Sequence, residues 1–398
     1  MVSGPFHVPS YLVLTLLPSD KQDELLSVAQ DRGIVMSNLD KIIARQEAYY
    51  ATDEKVWEKS GSSKLYPNIG ALLNLGLPRY SIYSVCNLRG GIGKTTLAFN
   101  LSFDTNDVLA VDTCPQGNLS AFYDPNYYGA GVSIYDALLP YIVPGLGHAS
   151  RISRNISATN GYFQGKIAYF ISSSPNLYEF PSTLEGAISQ TRGLPPAQSA
   201  LAKTKLLLSL KEIVSAAMKD TNTKRCLIDT SPFFSGATHL SWHAADALLV
   251  PVRTDQQSMQ SLELLLQMLS DPARSFLKTK NGLDLPVPKI QLILVTHCGW
   301  STKAGSRHNP NNQTRAYLEK VRDIVSRNII HFTTHDPDNH IVPIDDFLGS
   351  GRISSAKAMP IKEMTPGFSS TINSQRVEVN ASVEKCKKQI SFITTNIW

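Results

Sequence analysis

An α/β chain built on a parallel sheet is predicted by three observations. Residues 80–85 form a short apolar run, followed by a glycine-rich turn and then by apolar residues at helical spacing, Leu97, Ala98 and Leu101. Residues 108–111 are continuously apolar and close on Asp112, as a strand covered on both faces would. Residues 226–228 are a similar run closing on Asp229. Each acidic residue then falls at the carboxyl edge of the sheet, where open α/β proteins hold their ligands.

In chain order, residues 1–80 read as a small helical arm for dimerisation or docking, and 81–398 as the sheet domain. Within the arm, helices are expected over 20–32 (Leu25, Leu26 and Val28, ended by Gly33), over 39–51, and briefly over 68–75 before Gly76 and Pro78. Residues 140–166, rich in Gly, Ser, Asn and Pro, read as an irregular surface excursion. A strand at 167–171 and a helix over 200–218 follow, and the leucine stripe of that helix is core packing. Residues 244–252 form a further strand, with Asp246 as a turn or cap residue and an amphipathic helix over 258–269. A strand over 289–296, a polar loop and a helix over 315–327 come next. At the end, Val383, Cys386, Ile390, Ile393 and Ile397 share one helical face, read as packing on the protein's own sheet rather than lying on a membrane.

The turn carries the most specific chemistry. Gly90, Gly91 and Gly93 let the backbone approach a polyphosphate, with N–H groups and a helix N-terminus favouring the anion. Lys94 would reach the phosphates and Thr95 would hold Mg²⁺. Ile92 and Thr96 complete the loop. The first glycine of the ordinary G-x-x-x-x-G-K-[ST] pattern is replaced by Leu88, and a basic residue, Arg89, precedes the glycine pair.

Charge and cysteines bound the remaining possibilities. The net charge is +5; by count, residues 275–398 carry 16 basic and 10 acidic groups, so the excess lies in the last third. Such an imbalance points to a polyanionic partner such as DNA or an acidic membrane surface. Arg315, Lys320, Arg322 and Arg327, with Arg352, Lys357 and Lys362, are the candidate phosphate-contacting residues, giving non-specific, salt-sensitive binding. Five scattered cysteines without a C-x-x-C pair, no leader pattern and no apolar run of spanning length predict a cytoplasmic protein. The nine histidines (His297, His308, His331, His335 and others) are read as showing no H-x-x-x-H or His/Cys pairing, so no metal beyond Mg²⁺ is expected.

The segment x-Gly90-Gly91-x-Gly93-Lys94-Thr95-Thr96 resembles the deviant Walker A loop of the ParA/MinD family of dimeric ATPases, in which the place of Arg89 is usually lysine. Asp112-Thr-Cys-Pro-Gln-Gly-Asn118 resembles the family's D-x-D-P-Q-G-N switch, with Cys114 where the second aspartate stands. Residues 226–232 resemble its Walker B strand, Asp229 holding Mg²⁺ through water. Ala244-Ala-Asp-Ala-Leu-Leu-Val-Pro251 is similar to a further family strand. Residues 341–344 resemble the Ile-Pro step beside the base, which makes Val342 and Pro343 nucleotide-binding candidates. The resemblance runs from about residue 81 into the 360s.

What the resemblance implies is a mostly parallel, doubly wound sheet and a homodimer formed with ATP. The family's members bind DNA non-specifically, and a ParB-type centromere-binding partner triggers hydrolysis. Lys94, Arg89 and Asp112 would be catalytic, with Asp112 also near the metal. A thiol at 114 cannot accept a proton from water as a carboxylate does, which puts hydrolysis in question. Three readings follow: a plasmid or chromosome partition ATPase at the nucleoid, an ATP-binding scaffold with little turnover, and a MinD-like membrane-positioning ATPase.

Overall fold

The computed structural model describes residues 39–49, 57–301 and 309–398; the helix expected over 20–32 lies outside them. Helix α1 (Asp40–Ala48) and the short α2 (Ile69–Leu73) precede strand β1 (Ile82–Val85). The glycine turn leads into α3 (Lys94–Asp104), β2 (Val108–Asp112), α4 (Asn118–Tyr123) and α5 (Ile134–Ile142). Next come β3 (Arg154–Asn155), β4 (Ala168–Ile171), α6 (Phe180–Thr191) and α7 (Pro196–Thr221). Then follow β5 (Arg225–Asp229), α8 (Gly236–Ala244), β6 (Ala247–Arg253), α9 (Gln256–Ser270) and α10 (Ser275–Lys280). The chain closes with β7 (Lys289–Cys298), α11 (Asn312–Arg327), β8 (Ile341–Asp345) and α12 (Leu348–Lys357), then a hairpin of β9 (Ser369–Ile372) and β10 (Gln375–Glu378), and finally α13 (Val383–Ile397).

Eight strands form one sheet in the order β3-β4-β2-β5-β1-β6-β7-β8. Every pairing is parallel except the antiparallel contact of β3 with β4. Alternation along the strands explains why they read as continuous apolar runs. Val108 and Ala110 face α3 and α13, whereas Leu109 and Val111 face α5, α6 and α7. Leu248, Val250 and Val252 cover α9 and α11 from the far half of the sheet. Both faces are therefore dry, and the sheet is doubly wound.

Local chemistry accounts for several boundaries. Helix α7 starts with a proline in its first turn, where the missing N–H costs nothing, and ends at Asn222 with φ 54°. The Asp246 carboxylate accepts the Ile82 N–H at 3.0 Å, the cap role expected of it. Stretch 140–166 is less irregular than its composition implied. Arg154 in β3 pairs with Asp124 at 2.7 Å and lies over the Phe170 ring, fixing an edge strand that no periodicity announced. The face of α13 carrying Val383, Cys386, Ile390, Ile393 and Ile397 is buried against the sheet, as the packed reading held.

The described part of the N-terminal segment lies along the β8 edge. Arg45, 1% exposed, donates to the carbonyls of Leu72 and Asp338 and to Asn339 Oδ1, and Lys41 pairs with Asp336 at 2.6 Å. Gln46 reaches the Pro343 carbonyl at 3.5 Å.

Candidate functional site

The site sits where β1, β2 and β5, adjacent in the sheet, end together. Gly91 (φ 71°) and Gly93 (φ 91°) hold the left-handed backbone that turns the chain from β1 into α3, a conformation a Cβ would strain. Gly93 is also the residue before the helix, so Lys94 opens α3. Gly90 borders the Pro232 ring, and Ile92 is buried with its carbonyl facing the Thr296 hydroxyl. Lys94 folds back so that Nζ donates to the Arg89 carbonyl at 2.6 Å, inside the loop it opens. Burial lowers its pKa, and the nearby Asp229 carboxyl opposes that shift.

Thr95 Oγ1 donates to Asp229 Oδ2 at 2.7 Å, and Asp229 Oδ1 is buried without a hydrogen-bond partner. Asp112 and Asp229 stand opposite each other in the β2–β5 register. Burial, with the second carboxyl close by, raises the pKa of Asp229; burial raises that of Asp112. An unpartnered buried carboxylate oxygen beside a threonine hydroxyl and a second acid is a donor set that fits a hard, oxygen-seeking divalent cation. Thr95 and Asp229 are the residues that would hold Mg²⁺.

Asp112 has a different local task. Its Oδ2 accepts from the Ser120 N–H and hydroxyl, both at 2.8 Å, and its Oδ1 accepts the Cys114 N–H at 3.1 Å. Three such bonds turn the carboxylate toward holding the loop over 113–120. Cys114 itself is buried, and its thiol is pushed up to about 12 by burial and then by the Asp112 charge. It is a neutral group in a place where the family pattern has a carboxylate.

Arg89 leans away from the loop. Its Nη1 contacts Asp255 Oδ1 and donates to Ser258 Oγ at 2.7 Å, and its Nη2 donates to Gln257 Oε1 at 3.3 Å. Asp255 is the N-cap of α9, accepting the Ser258 N–H at 2.9 Å. Sequence reasoning missed Asp255 and Ser258. The D-x-x-S spacing is compatible with a helix cap, but nothing linear ties it to a residue far upstream.

Two sets of expected residues fall elsewhere. Val342 and Pro343 lie inside β8, buried on both faces, with Val342 under α13. Neither side chain is available to a base, because a run apolar on both faces makes the middle of a strand rather than its carboxyl end. Arg322 also leaves its assigned surface: its Nε pairs with Asp338 at 2.7 Å and is nearly buried. Lys320 lies over Tyr317, and Arg327 pairs with Asp323 at 2.9 Å. Arg315 is half-buried, while Arg352 and Lys357 are exposed on α12.

The histidine reading needs a correction too. His239 and His243 do stand at H-x-x-x-H spacing on α8, with Nε2 atoms 3.3 Å apart. They are packed by Phe234, Trp242 and Phe276. No group of three or more potential metal ligands occurs among the described residues. No helix among them is long and apolar enough to cross a membrane.

A glycine turn opening a helix, a lysine inside it, and two acids at neighbouring strand ends define a P-loop nucleotide-binding α/β protein. The family described as an AAA domain matches residues 80–281, just over half of the sequence, and the chain belongs to this family of ParA/MinD-type P-loop proteins. Comparison with curated proteins finds no match. Among solved structures, an ATP complex of a McdA variant from Cyanothece aligns at 14% identity over 80% of this chain and 98% of that one, with a TM-score of 0.54. A plasmid partition protein from Borrelia burgdorferi aligns at 16% identity over 68% and 91%, TM-score 0.38. Cobyrinic acid a,c-diamide synthase from Mycobacterium smegmatis with ADP and magnesium aligns at 18% over 61% and 81%, TM-score 0.42. At such identity the McdA likeness speaks to the fold.

Proposed function

We propose that this chain is a nucleotide-switched ATPase of the partition type, which binds ATP with Mg²⁺, pairs with a second copy and holds DNA non-specifically. The observation that carries this reading is the Lys94–Thr95–Asp229 cluster, with Asp229 Oδ1 unpartnered beneath a loop of left-handed glycines. Lys94 exchanges the Arg89 carbonyl for phosphate oxygens. Thr95 and Asp229 would hold the cation, whose charge would offset that of the phosphates. Arg89 crosses to the phosphates of the second copy once it leaves Asp255 and Ser258, as a planar guanidinium fork suited to phosphoryl oxygens. The protein then acts in the cytoplasm at the nucleoid, with a ParB-type partner prompting release. The segment before residue 80 serves as a dimerisation or docking element.

Cys114 supports a second reading, an ATP-dependent scaffold that turns over slowly, since a neutral buried thiol offers no acceptor for the attacking water. Calorimetry with ATP and Mg²⁺ tests the common core. Lys94→Ala should weaken binding by about 10–100-fold, the loss of one hydrogen bond to a charged group. An unchanged isotherm would sink both readings. Phosphate release with DNA present separates them: turnover near zero that Cys114→Asp raises sharply identifies the scaffold, and brisk wild-type turnover the ATPase.

A further inference from the structure

Helices α6 and α7 form a hairpin that outgrows the sheet it packs on. Strand β4 delivers the chain to α6 at the carboxyl edge. Helix α7 returns it to the start of β5, where the Lys224 N–H donates to the Asp107 carbonyl just ahead of β2. The 26 residues of α7 span about 39 Å, whereas the 5 residues of β5 span about 17 Å. The surplus lies at the start of the helix. Buried side chains begin at Leu206, and residues 196–205 have none. The base of the hairpin is anchored: Phe180 is buried and meets the Tyr135 ring edge-on at 6.2 Å, and Pro181 packs on Gly236 of α8. The tip therefore stands clear of the body.

What the hairpin exposes is apolar in part and sorted by charge. Tyr178, beside the base, is 58% exposed, and Leu194 and Leu201, toward the tip, are 42% and 72% exposed. Glu179 and Glu185 lie toward the base, Arg192 and Lys203 toward the tip, and none of the four forms an ion pair among the described residues. Partial burial and then the like charge of Arg192 lower the Lys203 pKa, so two cations crowd each other with no acid to relieve them. Glu185 and Arg192 are two turns apart on one face of α6, since Arg192 keeps helical dihedrals (φ −67°, ψ −21°).

We infer that the α6–α7 hairpin is a self-association surface, covered by the same hairpin of a second copy about a two-fold axis and needing no nucleotide. Antiparallel packing of two α6 helices sets Glu185 of each copy against Arg192 of the other, the reciprocity that a two-fold contact requires. The acidic base of one copy then relieves the crowded cations of the other. Leu194 and Leu201 gain Tyr178 of the opposite copy as apolar cover. This contact is separate from the one in the partition reading, where ATP holds two copies together, and it stands or falls without it.

The test follows self-association of the full, nucleotide-free chain by sedimentation over a concentration series. Wild type should associate. Arg192→Glu with Lys203→Glu, and separately Glu179→Arg with Glu185→Arg, should each raise the midpoint at least about tenfold, because like charges then face each other. Mixing the two variants should restore association, since each supplies the charges the other lacks. Leu201→Ser should weaken it by about fivefold or more. Wild type that stays monomeric overturns the inference, as does a mixture that fails to associate. Association left unchanged by both charge reversals overturns it too, and leaves the hairpin to some other partner or to none. All these positions are at least partly exposed, so the variants should keep the wild-type denaturation midpoint. Calorimetry keeps the two levels apart: every variant should take up ATP like wild type, and a wild-type failure there strikes the partition reading while leaving the hairpin contact standing.

Discussion

Arg89 shows how one side chain can be held in reserve. Its ion pair with Asp255 is about a quarter exposed on each side, and such pairs contribute about 1 kcal/mol or less. A charge-assisted bond to phosphate is worth about 1.5–3 kcal/mol, so in the proposed dimer ATP on a second copy would win the competition. Burial pushes the Asp255 carboxyl up, but the Arg89 and Ser258 hydrogen bonds outweigh it and hold the pKa below the ordinary range. The latch therefore stays charged well below neutrality. Asp255→Asn keeps a competent N-cap and removes the charge. Light scattering with ATP should then show self-association at about 2–5-fold lower protein concentration, the equivalent of about 1 kcal/mol or less; an unshifted midpoint would mean that the latch plays no part. Lys94 and Thr95 were legible as candidate phosphate and metal ligands because a glycine turn between strand and helix has few other uses. Asp112 was legible only as a strand-end acid, since Ser120, which draws its carboxylate into the loop, is joined to it by the turn.

At the scale of the element, α8 links the end of β5 to the dry interior. His239 and His243 are buried, which lowers the pKa of the first to about 4 and of the second still further. Both folded values lie below the unfolded ~6.5, so each ring is neutral in the native protein. The stability this brings is fully present above pH ~6.5 and is lost as pH falls toward about 4. For His239 alone it amounts to about 3 kcal/mol. Denaturant unfolding should therefore report a markedly less stable protein near pH ~5 than near neutrality. His243→Phe should flatten that dependence, and an equally steep profile in the variant would remove the pair as its source. The role of the pair is not legible in the sequence, because its burial depends on Phe276, far along the chain. Strand β3 was unreadable for a similar reason, two residues long and fixed by Asp124 from another loop.

For the whole molecule, the question is what closes the sheet. One face is covered by α3, α12 and α13, and the last helix is also tied to the segment that enters β1. Tyr83 Oη donates to the Ile397 carbonyl at 2.9 Å, and Arg79 donates to that of Trp398. Ile390→Ala, at a 2%-exposed position, should cost about 2–5 kcal/mol, seen as a lower denaturation midpoint. A loss within about 0.5 kcal/mol would fit a helix lying outside the core. This packing fixes what the apolar stripe of α13 is for, in line with the packed reading of its periodicity.

The sequence by itself determined the fold class and the phosphate-binding loop. Strands buried on both faces must be apolar throughout, and a loop that approaches phosphate must be glycine-rich; both are local requirements written in consecutive residues. Tertiary structure alone decided that Arg89 is latched to Asp255, that Val342 and Pro343 are interior, and that Arg322 is paired with Asp338 while Arg376 forms no ion pair among the described residues. Charges and strand ends acquire meaning from neighbours distant in the chain, and sheet order, which sets those neighbours, leaves no mark on any single segment.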